Sequence, residues 1–241
     1  MKQYEAVIKA MDDRGGFATL GQLYQIVDVT DWKTKTPFAS IRRIVQDRRY
    51  FFKIKPGLWA LNSHKDLVLK NFSIDGKSSK QKENEFNHSY YQGLLVEVGN
   101  LEGYETFIPN QDKNKMYLAK PLKEYSTVNE FYNFTYEHII KKVNTVDVCW
   151  FNKRKFPSSI FEVEHSTDIQ NSLMKFLYLQ DFNTHFNIVA DKAREREFKS
   201  KLASYAFDSI RDRVKFIEYN SLSSYHSKLF ELSTLRPGVY K

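Results

Sequence analysis

The chain of 241 residues has little cysteine and no long hydrophobic run. Its one cysteine, Cys149, excludes an internal disulfide framework and a cysteine-rich zinc site. No stretch reaches the roughly 18 uncharged apolar residues that a membrane-spanning helix needs, so no membrane association is expected. The first residues, "MKQYEAVIKAMDDRGG", are charged throughout and have no signal-peptide core. These features together predict a cytoplasmic protein.

Several catalytic motifs are also absent. There is no glycine-rich phosphate loop of the GxxxxGK type, so no nucleotide cofactor is expected. There is no GxSxG nucleophile elbow of the serine hydrolases. The six histidines are scattered, without an HExxH or HxH pattern, which argues against a zinc hydrolase.

What the chain does have is an uneven positive charge. Its net charge is +8, with 37 Lys and Arg against 29 Asp and Glu. Residues 1–70 hold 13 Lys and Arg and 7 Asp and Glu, a net charge of +6, so the other 171 residues carry only +2. A basic first third suits a polyanionic partner, and it predicts a DNA-reading part joined to a more acidic catalytic part.

The first third has the order of a winged helix–turn–helix domain. Apolar positions recur at helical spacing in residues 3–12 and 19–28. Residues 36–50 predict a third helix, with a proline at its first position. Residues 51–61 predict two short strands around a Pro-Gly turn. Three helices followed by a β-hairpin predict a winged helix domain over residues 1–70.

The predicted third helix has a polar face suited to DNA. Arg42, Gln46 and Arg49 follow one another at i, i+4 and i+7, and Arg and Gln make bidentate contacts with guanine and adenine in the major groove. Basic residues beside this stripe and in the hairpin are predicted to contact phosphates: Arg43, Arg48, Lys53 and Lys55. The alternative is a solvated basic face on a structural helix.

The stretch "TPFASIRRIVQDRRYFFKIKPGLWAL" resembles the HARE-type winged helix. This resemblance covers about residues 1–62 and depends mainly on its "TPxASI" and "PGLWAL" elements. Such domains are joined to DNA-modifying and DNA-restricting enzymes, so the resemblance implies that this part binds duplex DNA.

The rest of the chain has the pattern of a separate α/β domain. Residues 71–87 are polar and predict a linker. After them, apolar periodicity alternates between helices and strands, which predicts a mixed sheet covered on both faces over residues 88–241. Helices are predicted at 88–99, 127–142, 168–182, 192–207 and 221–232, and strands at 103–109, 145–152, 159–166, 186–191 and 214–220.

Three acidic residues interrupt the predicted strands. Asp147 lies in "VDVCW", and Glu162 and Glu164 lie in "FEVEHS". Alternation along a strand places both glutamates on one face, and burying unpaired carboxylates is costly. A shared Mg²⁺ ion would remove their repulsion, since Mg²⁺ prefers oxygen ligands. The alternative is three acids at a sheet edge or in salt bridges.

The spacing of these acids resembles the signature of the PD-(D/E)xK nucleases, which have the restriction-endonuclease-like fold. Asp147 is followed by fourteen residues and then by "EVE". The resemblance covers about residues 86–191. It implies that Asp147 and Glu162 hold the metal, with Glu97 matching an extra acid that many members carry on their first core helix. It also implies that the third motif residue is catalytic.

That third residue departs from the family pattern. It is usually a lysine, but here it is Glu164, a variant known among restriction endonucleases that can accept the proton of water or join the metal shell. Lys175, in the next predicted helix, could supply the missing positive charge. Which of the two replaces the motif lysine stays open at this point.

The sequence therefore predicts a Mg²⁺-dependent endonuclease of duplex DNA, of the type II restriction endonuclease class. Such enzymes usually dimerise to cut both strands, so a homodimer is expected. Two alternatives stay open. One is a repair or modification-dependent nuclease, and the other is a non-catalytic DNA-binding regulator that keeps a nuclease-like fold.

Overall fold

A computed structural model describes residues 1–76 and 79–239. The chain divides into two compact units: Met1–Glu83 with Ser223–Lys241, and Asn84–Leu222. The segment at the end of the chain thus groups with the N-terminal unit. The division into a DNA-binding domain of residues 1–70, a linker of residues 71–87 and a nuclease domain of residues 88–241 stays a prediction.

The first unit combines short helices with a small antiparallel sheet. Its strands are ordered β1-β3-β2, and a buried core that includes Met11, Leu23 and Ile41 holds the helices and the sheet together. Its elements are α1 (Gln3–Asp12), β1 (Phe17–Thr19), α2 (Leu20–Ile26), α3 (Pro37–Ile44), β2 (Phe51–Lys55), β3 (Leu58–Leu61) and α4 (Lys65–Asn71).

The helix α3 is shorter than predicted. It ends at Ile44, and the chain turns at Asp47, whose carboxylate accepts a hydrogen bond from the Arg49 backbone N–H at 3.1 Å. An aspartate that bonds its local backbone in this way competes with helical hydrogen bonding. The prediction that Arg42, Gln46 and Arg49 form one stripe of a helix is therefore wrong, because the last two lie beyond the helix.

The second unit is built on a five-stranded mixed sheet in the order β10-β9-β8-β7-β4, which confirms the predicted α/β class. The strands β8, β9 and β10 are parallel, and β7 and β4 are antiparallel to their neighbours. Its elements are α5 (Lys80–Glu102), β4 (Glu105–Phe107), β5 (Met116–Tyr117), β6 (Lys120–Pro121), α6 (Glu137–Val143), β7 (Val148–Phe151), β8 (Pro157–Glu164), α7 (Ile169–Leu177), β9 (His185–Ala190), α8 (Glu195–Leu202) and β10 (Val214–Glu218). The last helix, α9 (Tyr219–Val239), groups with the first unit from Ser223 onward.

Helices cover both faces of this sheet. On one face, Leu173 and Phe176 of α7 and Phe198 of α8 pack into the core with Ile160 of β8. On the other face, the indole N–H of Trp150 in β7 donates to a backbone carbonyl of α5 at 3.1 Å. The central strands are therefore buried on both sides, which explains their nearly continuous apolar sequence.

Two segments differ from the predicted elements. Of the helix predicted over residues 127–142, only Glu137–Val143 is helical, because the Val128 backbone N–H donates to the carbonyl of Thr106 at 3.1 Å. Phe131 and Phe134 then pack on the core from an extended chain. The predicted linker also contains the first residues of α5, which begins at Lys80.

Among the described residues, no helix is both long and apolar enough to cross a lipid bilayer.

Candidate active site

Asp147 lies directly before β7, at the point where this strand pairs with β8. Val148 faces Phe161 in the antiparallel register, which brings Asp147 beside Glu162. The Val163 backbone N–H donates to Oδ2 of Asp147 at 2.7 Å. This hydrogen bond holds Oδ2 in place, and the other carboxylate oxygen, Oδ1, remains available for contacts with other groups.

Glu162 and Glu164 occupy the same face of β8, as alternation predicts. Both carboxylates contact the hydroxyl of Ser172 on α7, which lies 3.2 Å from Oε2 of Glu162 and also hydrogen-bonds Oε1 of Glu164. Glu162 is 3 % exposed and Glu164 is 4 % exposed. Two adjacent carboxylates are thus buried, and such an arrangement requires a nearby positive charge.

Lys175 of α7 supplies that charge. Its Nζ lies 2.9 Å from both carboxylate oxygens of Glu162 and 3.2 Å from the carbonyl oxygen of Thr145. Burial lowers the pKa of Lys175, but the facing Glu162 reverses this effect and raises the pKa above its usual value. Burial and the neighbouring Asp147 raise the pKa of Glu162 well above its usual range, although Lys175 opposes the shift. The site therefore still favours additional positive charge.

Glu164 is held by groups from three segments. Besides Ser172, the hydroxyl of Thr167 donates to its Oε2, and NH1 of Arg194 lies 3.7 Å from the same atom. Arg194 also donates from NH2 to the backbone carbonyl of Thr167 at 2.6 Å. The carboxylate of Glu164 is therefore more tightly enclosed by the protein than that of Glu162.

A second group of polar residues supports Asp147 from α5 and the loop after β4. Nε2 of His88 lies 3.2 Å from Oδ1 of Asp147 and 3.8 Å from Oδ2 of Asp112. Gln92 donates to Oδ2 of Asp112 at 2.8 Å and to the backbone carbonyl of Asp147 at 3.1 Å. Lys115 forms an ion pair of 2.7 Å with Asp112. This network fixes the position of Asp147.

Burial lowers the pKa of His88, but the carboxylates of Asp147 and Asp112 outweigh it and raise the pKa to about 10. The ligand atoms of His88, Asp112 and Asp147 lie within 4.8 Å of one another, as in many metal sites. A protonated imidazole cannot ligate a metal ion. His88 therefore behaves as a cation between the two aspartates in this arrangement.

The three predicted catalytic acids line one cavity of about 380 Å³. His88 and Lys175 line it as well, and the exposed side chain of Glu85 reaches it from the start of α5. A larger cavity of about 740 Å³ lies in the first unit, lined by Tyr4, Trp32 and Arg43 among others, and holds none of these acids. The predicted catalytic residues therefore lie in the smaller cavity.

Glu97 does not line this cavity. Its carboxylate accepts a hydrogen bond from the phenol of Tyr117 at 2.6 Å. On α5, the acid that reaches the cavity is Glu85, three helical turns before Glu97. The metal-binding role predicted for Glu97 has no geometric support from these contacts.

The basic residues predicted to bind DNA differ in their surroundings within the first unit. Arg42 donates to the phenol of Tyr24 at 3.0 Å and pairs with Glu231 at 3.5 Å, and Arg49 pairs with Asp47. Burial lowers the pKa of Lys55. The remaining predicted contacts are exposed: Arg43, Gln46, Arg48 and Lys53. Their roles in DNA binding stay predictions.

Sequence reasoning missed His88, Gln92, Asp112, Ser172 and Arg194. Asp112 lies in the polar loop "NQDKNK", where nothing in the sequence separates a buried carboxylate from a solvated one. His88 and Gln92 are four residues apart on α5 and therefore share a helix face, which was a detectable signal. Arg194 lies close to Glu164 because β8 and β9 pair in parallel. No short sequence pattern indicates this proximity.

Comparison with known proteins identifies relatives of the second unit. Residues 70–238 match the family described as the type II restriction enzyme NmeDI C-terminal domain. A protein named "Type II restriction enzyme NmeDI", from Neisseria meningitidis serogroup C, is 27 % identical over 123 residues, which cover 46 % of this chain and 35 % of that protein. The chain thus matches about a third of the length of this relative. No solved structure matches at a significant level.

Proposed function

Since the chain belongs to the family of the type II restriction enzyme NmeDI C-terminal domain, we propose that it is a Mg²⁺-dependent endonuclease that hydrolyses phosphodiester bonds in duplex DNA. The observation that carries the proposal is the meeting of buried Asp147, buried Glu162 and Lys175 at one cavity. We further propose that the second unit has the PD-(D/E)xK type of active site and acts in a restriction system.

The donor set at the cavity fits Mg²⁺. Asp147 and Glu162 offer carboxylate oxygens, which this ion prefers, and it commonly uses only one or two protein carboxylates while keeping several waters. Burial and the neighbouring Asp147 raise the pKa of Glu162 despite Lys175, so a bound cation would favour the charged form of this carboxylate. When bound, the ion would stabilise charge on a phosphoryl oxygen and lower the pKa of a bound water.

The other side chains then have separable roles. Lys175, an ammonium group at the same cavity, donates hydrogen bonds to a phosphate oxygen or to the attacking water while keeping its contact with Glu162. Because Glu164 is enclosed by Thr167, Ser172 and Arg194, we assign the role of the motif lysine to Lys175. Glu164 orients the water or the metal shell from its fixed position.

Glu85 is a second candidate for the additional acid of the ligand set. It lines the cavity from the first helix of the second unit, whereas Glu97 does not. We therefore propose that Glu85, and not Glu97, is the additional acid that helps to hold the metal. Its exposed side chain leaves it free to turn toward a bound ion.

The first unit is proposed to hold the duplex as a winged helix domain. Its sequence resemblance, its net charge and the exposed Arg43, Arg48 and Lys53 support this role. Cutting both strands requires two catalytic centres in opposite orientations, so a homodimer is proposed as the active form.

The mechanism is tested by cleavage of plasmid DNA with Mg²⁺. Asp147→Asn and Glu162→Gln remove the negative charge while conserving shape, and both are expected to abolish nicking and linearisation while DNA binding in Ca²⁺ stays measurable. Glu85→Gln is expected to raise the Mg²⁺ concentration that half-maximal cleavage requires.

The matched control is Glu137→Gln, an exposed carboxylate of α6 that pairs with Lys141. It should cut like the unmodified protein. Full activity of Asp147→Asn or Glu162→Gln would overturn the active-site assignment. Cleavage by none of the proteins, with intact DNA binding, would favour a non-catalytic DNA-binding regulator.

A further inference from the structure

A second concavity of the second unit is polar and has no role in the catalytic site. It encloses about 580 Å³ between the loop after β4, the extended segment before α6 and the loop after α6. Four side-chain amides line it, contributed by Asn110, Gln111, Asn129 and Asn144. Phe107, Phe131 and Ile140 form its apolar part.

Asn110 accepts a hydrogen bond from Lys113, and the other three amides have unused hydrogen-bonding groups. Within the part of the chain that the structure describes, the side chains of Gln111, Asn129 and Asn144 make no hydrogen bond to another residue. Gln111 and Asn129 are exposed, and Asn144 is half-buried. Each amide carries both donors and an acceptor, so the concavity offers paired donor and acceptor sites to a ligand.

This concavity and the catalytic cavity have different lining residues, but two contacts connect them. Gln111 and Lys113 flank Asp112, which is held in the network around Asp147. Thr145 lines the concavity, and its carbonyl oxygen accepts a hydrogen bond from Lys175 at 3.2 Å. A ligand in the concavity would therefore contact residues next to those that hold Asp147 and Lys175.

We propose that this concavity reads DNA bases beside the cleaved bond, with Gln111, Asn129 and Asn144 recognising adenine edges. The inference rests on the proposed nuclease function and adds the place of sequence readout. Asn and Gln bind the N6 and N7 positions of adenine with one donor and one acceptor. Lys113, whose Nζ lies 3.0 Å from Oδ1 of Asn110, would contact a neighbouring phosphate, and the exposed Glu130 could accept a hydrogen bond from a cytosine N4.

The test uses DNA duplexes with a randomised segment, and every variant is measured in two ways. The ends produced with Mg²⁺ are sequenced, and sequences bound with Ca²⁺, without cutting, are selected and sequenced. The variants are Asn144→Ala, Gln111→Ala and Gln111→Glu. Asn220→Ala, an exposed amide outside the concavity that contacts Glu218, is the control. Thermal unfolding checks that each variant is folded.

The unmodified protein and Asn220→Ala should prefer the same short motif. Asn144→Ala and Gln111→Ala are each expected to reduce the preference for adenine about tenfold at one or two positions of the motif. Both variants should cut other sequences at a rate similar to that of the unmodified protein. Gln111→Glu keeps the shape of the side chain but only accepts hydrogen bonds, so its preference should shift toward cytosine, whose N4 is a donor.

The proposal is overturned if the motif stays the same in all three variants, or if the unmodified protein selects no motif. It is also overturned if the variants lose binding equally for every sequence, since that would indicate contacts to the backbone alone. If the unmodified protein cuts nothing but its selected motif changes in the variants, the nuclease assignment fails and the readout proposal stands.

Discussion

At the scale of single residues, the site depends on one lysine that the strand motif lacks. Lys175 lies on α7, and its Nζ is 2.9 Å from the carboxylate of Glu162 on β8. The positive charge thus comes from the next helix and not from position 164, two residues after Glu162, where the PD-(D/E)xK nucleases usually have their lysine. Glu164, which occupies the motif position, is instead enclosed by Thr167, Ser172 and Arg194.

Lys175→Met is expected to lower the rate of Mg²⁺-dependent cleavage by about 100-fold or more, since preorganised charge at a reacting centre typically contributes that much. Lys175→Arg should keep part of the rate because it keeps the charge. Single-turnover cleavage of plasmid DNA measures both. Lys201→Met, which removes a lysine that pairs with Asp168 near the start of the same helix, is the control. Equal rates for Lys175→Met and the unmodified protein would show that Lys175 is not catalytic.

The same substitution should make stability more dependent on pH. Burial and Asp147 raise the pKa of Glu162 above its ordinary value of 4.5, so without Lys175 the folded state keeps a proton that the unfolded chain releases. The free energy of unfolding of Lys175→Met should therefore be greatest below pH 4.5 and fall as pH rises toward the raised pKa. Urea unfolding at pH 5 and pH 8 measures the difference.

The control for this effect is Lys175→Met combined with Glu162→Gln. The double variant has no ionisable group at position 162, so the additional loss of stability at pH 8 should disappear. If the single variant loses no more stability at pH 8 than at pH 5, the carboxylate of Glu162 does not depend on Lys175 for its charge.

At the scale of elements, α5 connects the catalytic network to the packing beneath it. It contributes Glu85, His88 and Gln92 toward the catalytic site, and Gly93 toward the β5–β6 hairpin. A Cβ atom at Gly93 would lie 2.2 Å from the ring of Tyr117. The helix and the hairpin therefore approach one another through a position where a side chain does not fit.

Gly93→Ala is therefore expected to destabilise the protein, although alanine is the better helix former. Relief of the overlap requires a shift of the buried Tyr117 ring, and such overpacking typically costs about 1–3 kcal/mol. Urea unfolding measures it. Gln81→Ala, at an exposed position near the start of the same helix, should change stability by less than about 0.5 kcal/mol. A Gly93→Ala variant as stable as the unmodified protein would contradict this packing.

A capping box begins α2. The hydroxyl of Thr19 accepts from the Gln22 backbone N–H at 3.1 Å, and the Gln22 side chain accepts from the Thr19 backbone N–H at 3.0 Å. Thr19→Ala should lower the free energy of unfolding by about 1 kcal/mol, and Thr19→Ser should restore most of it. Thermal or urea unfolding of the two variants checks this, and equal stability of both would show that the cap contributes little.

At the scale of the whole molecule, positive charge is concentrated in the first unit. Arg48 and Lys53 are exposed there, whereas Arg42 and Arg49 already pair with acids. If the unit holds DNA, its affinity should depend on the number of phosphates that free cations contact, and it should fall steeply with salt.

Arg48→Ala and Lys53→Ala are each expected to weaken DNA binding for all sequences and to reduce the slope of log affinity against log salt by about 1. Fluorescence anisotropy in Ca²⁺ at several salt concentrations measures the slope. Lys199→Ala, which removes an exposed lysine of the second unit that pairs with Glu195, should leave it unchanged. Unaltered slopes in both first-unit variants would indicate that this face does not contact DNA.

Prediction from sequence succeeded where local periodicity carries the information. The strands around Cys149 and Phe161 and the helix that contains Lys175 follow from apolar patterns that burial requires. It failed over residues 127–136. The aromatic residues there have helical spacing in the sequence, but they pack on the core from a segment that is not helical. It also extended α3 beyond Ile44, because the turn at Asp47 arises from a side-chain contact.

The sequence by itself determined the α/β class and the common face of Glu162 and Glu164, since apolar periodicity and strand alternation are local patterns. The meeting of Asp147 with Glu162 was implied only by the resemblance to the PD-(D/E)xK nucleases, and the register of β7 with β8 brings the two residues together. Only the tertiary structure decided the partners of these acids. Lys175 and His88 reach the site from different helices, and Glu97 turns away to Tyr117. Such contacts depend on how helices pack across a sheet, and no short-range pattern encodes that geometry.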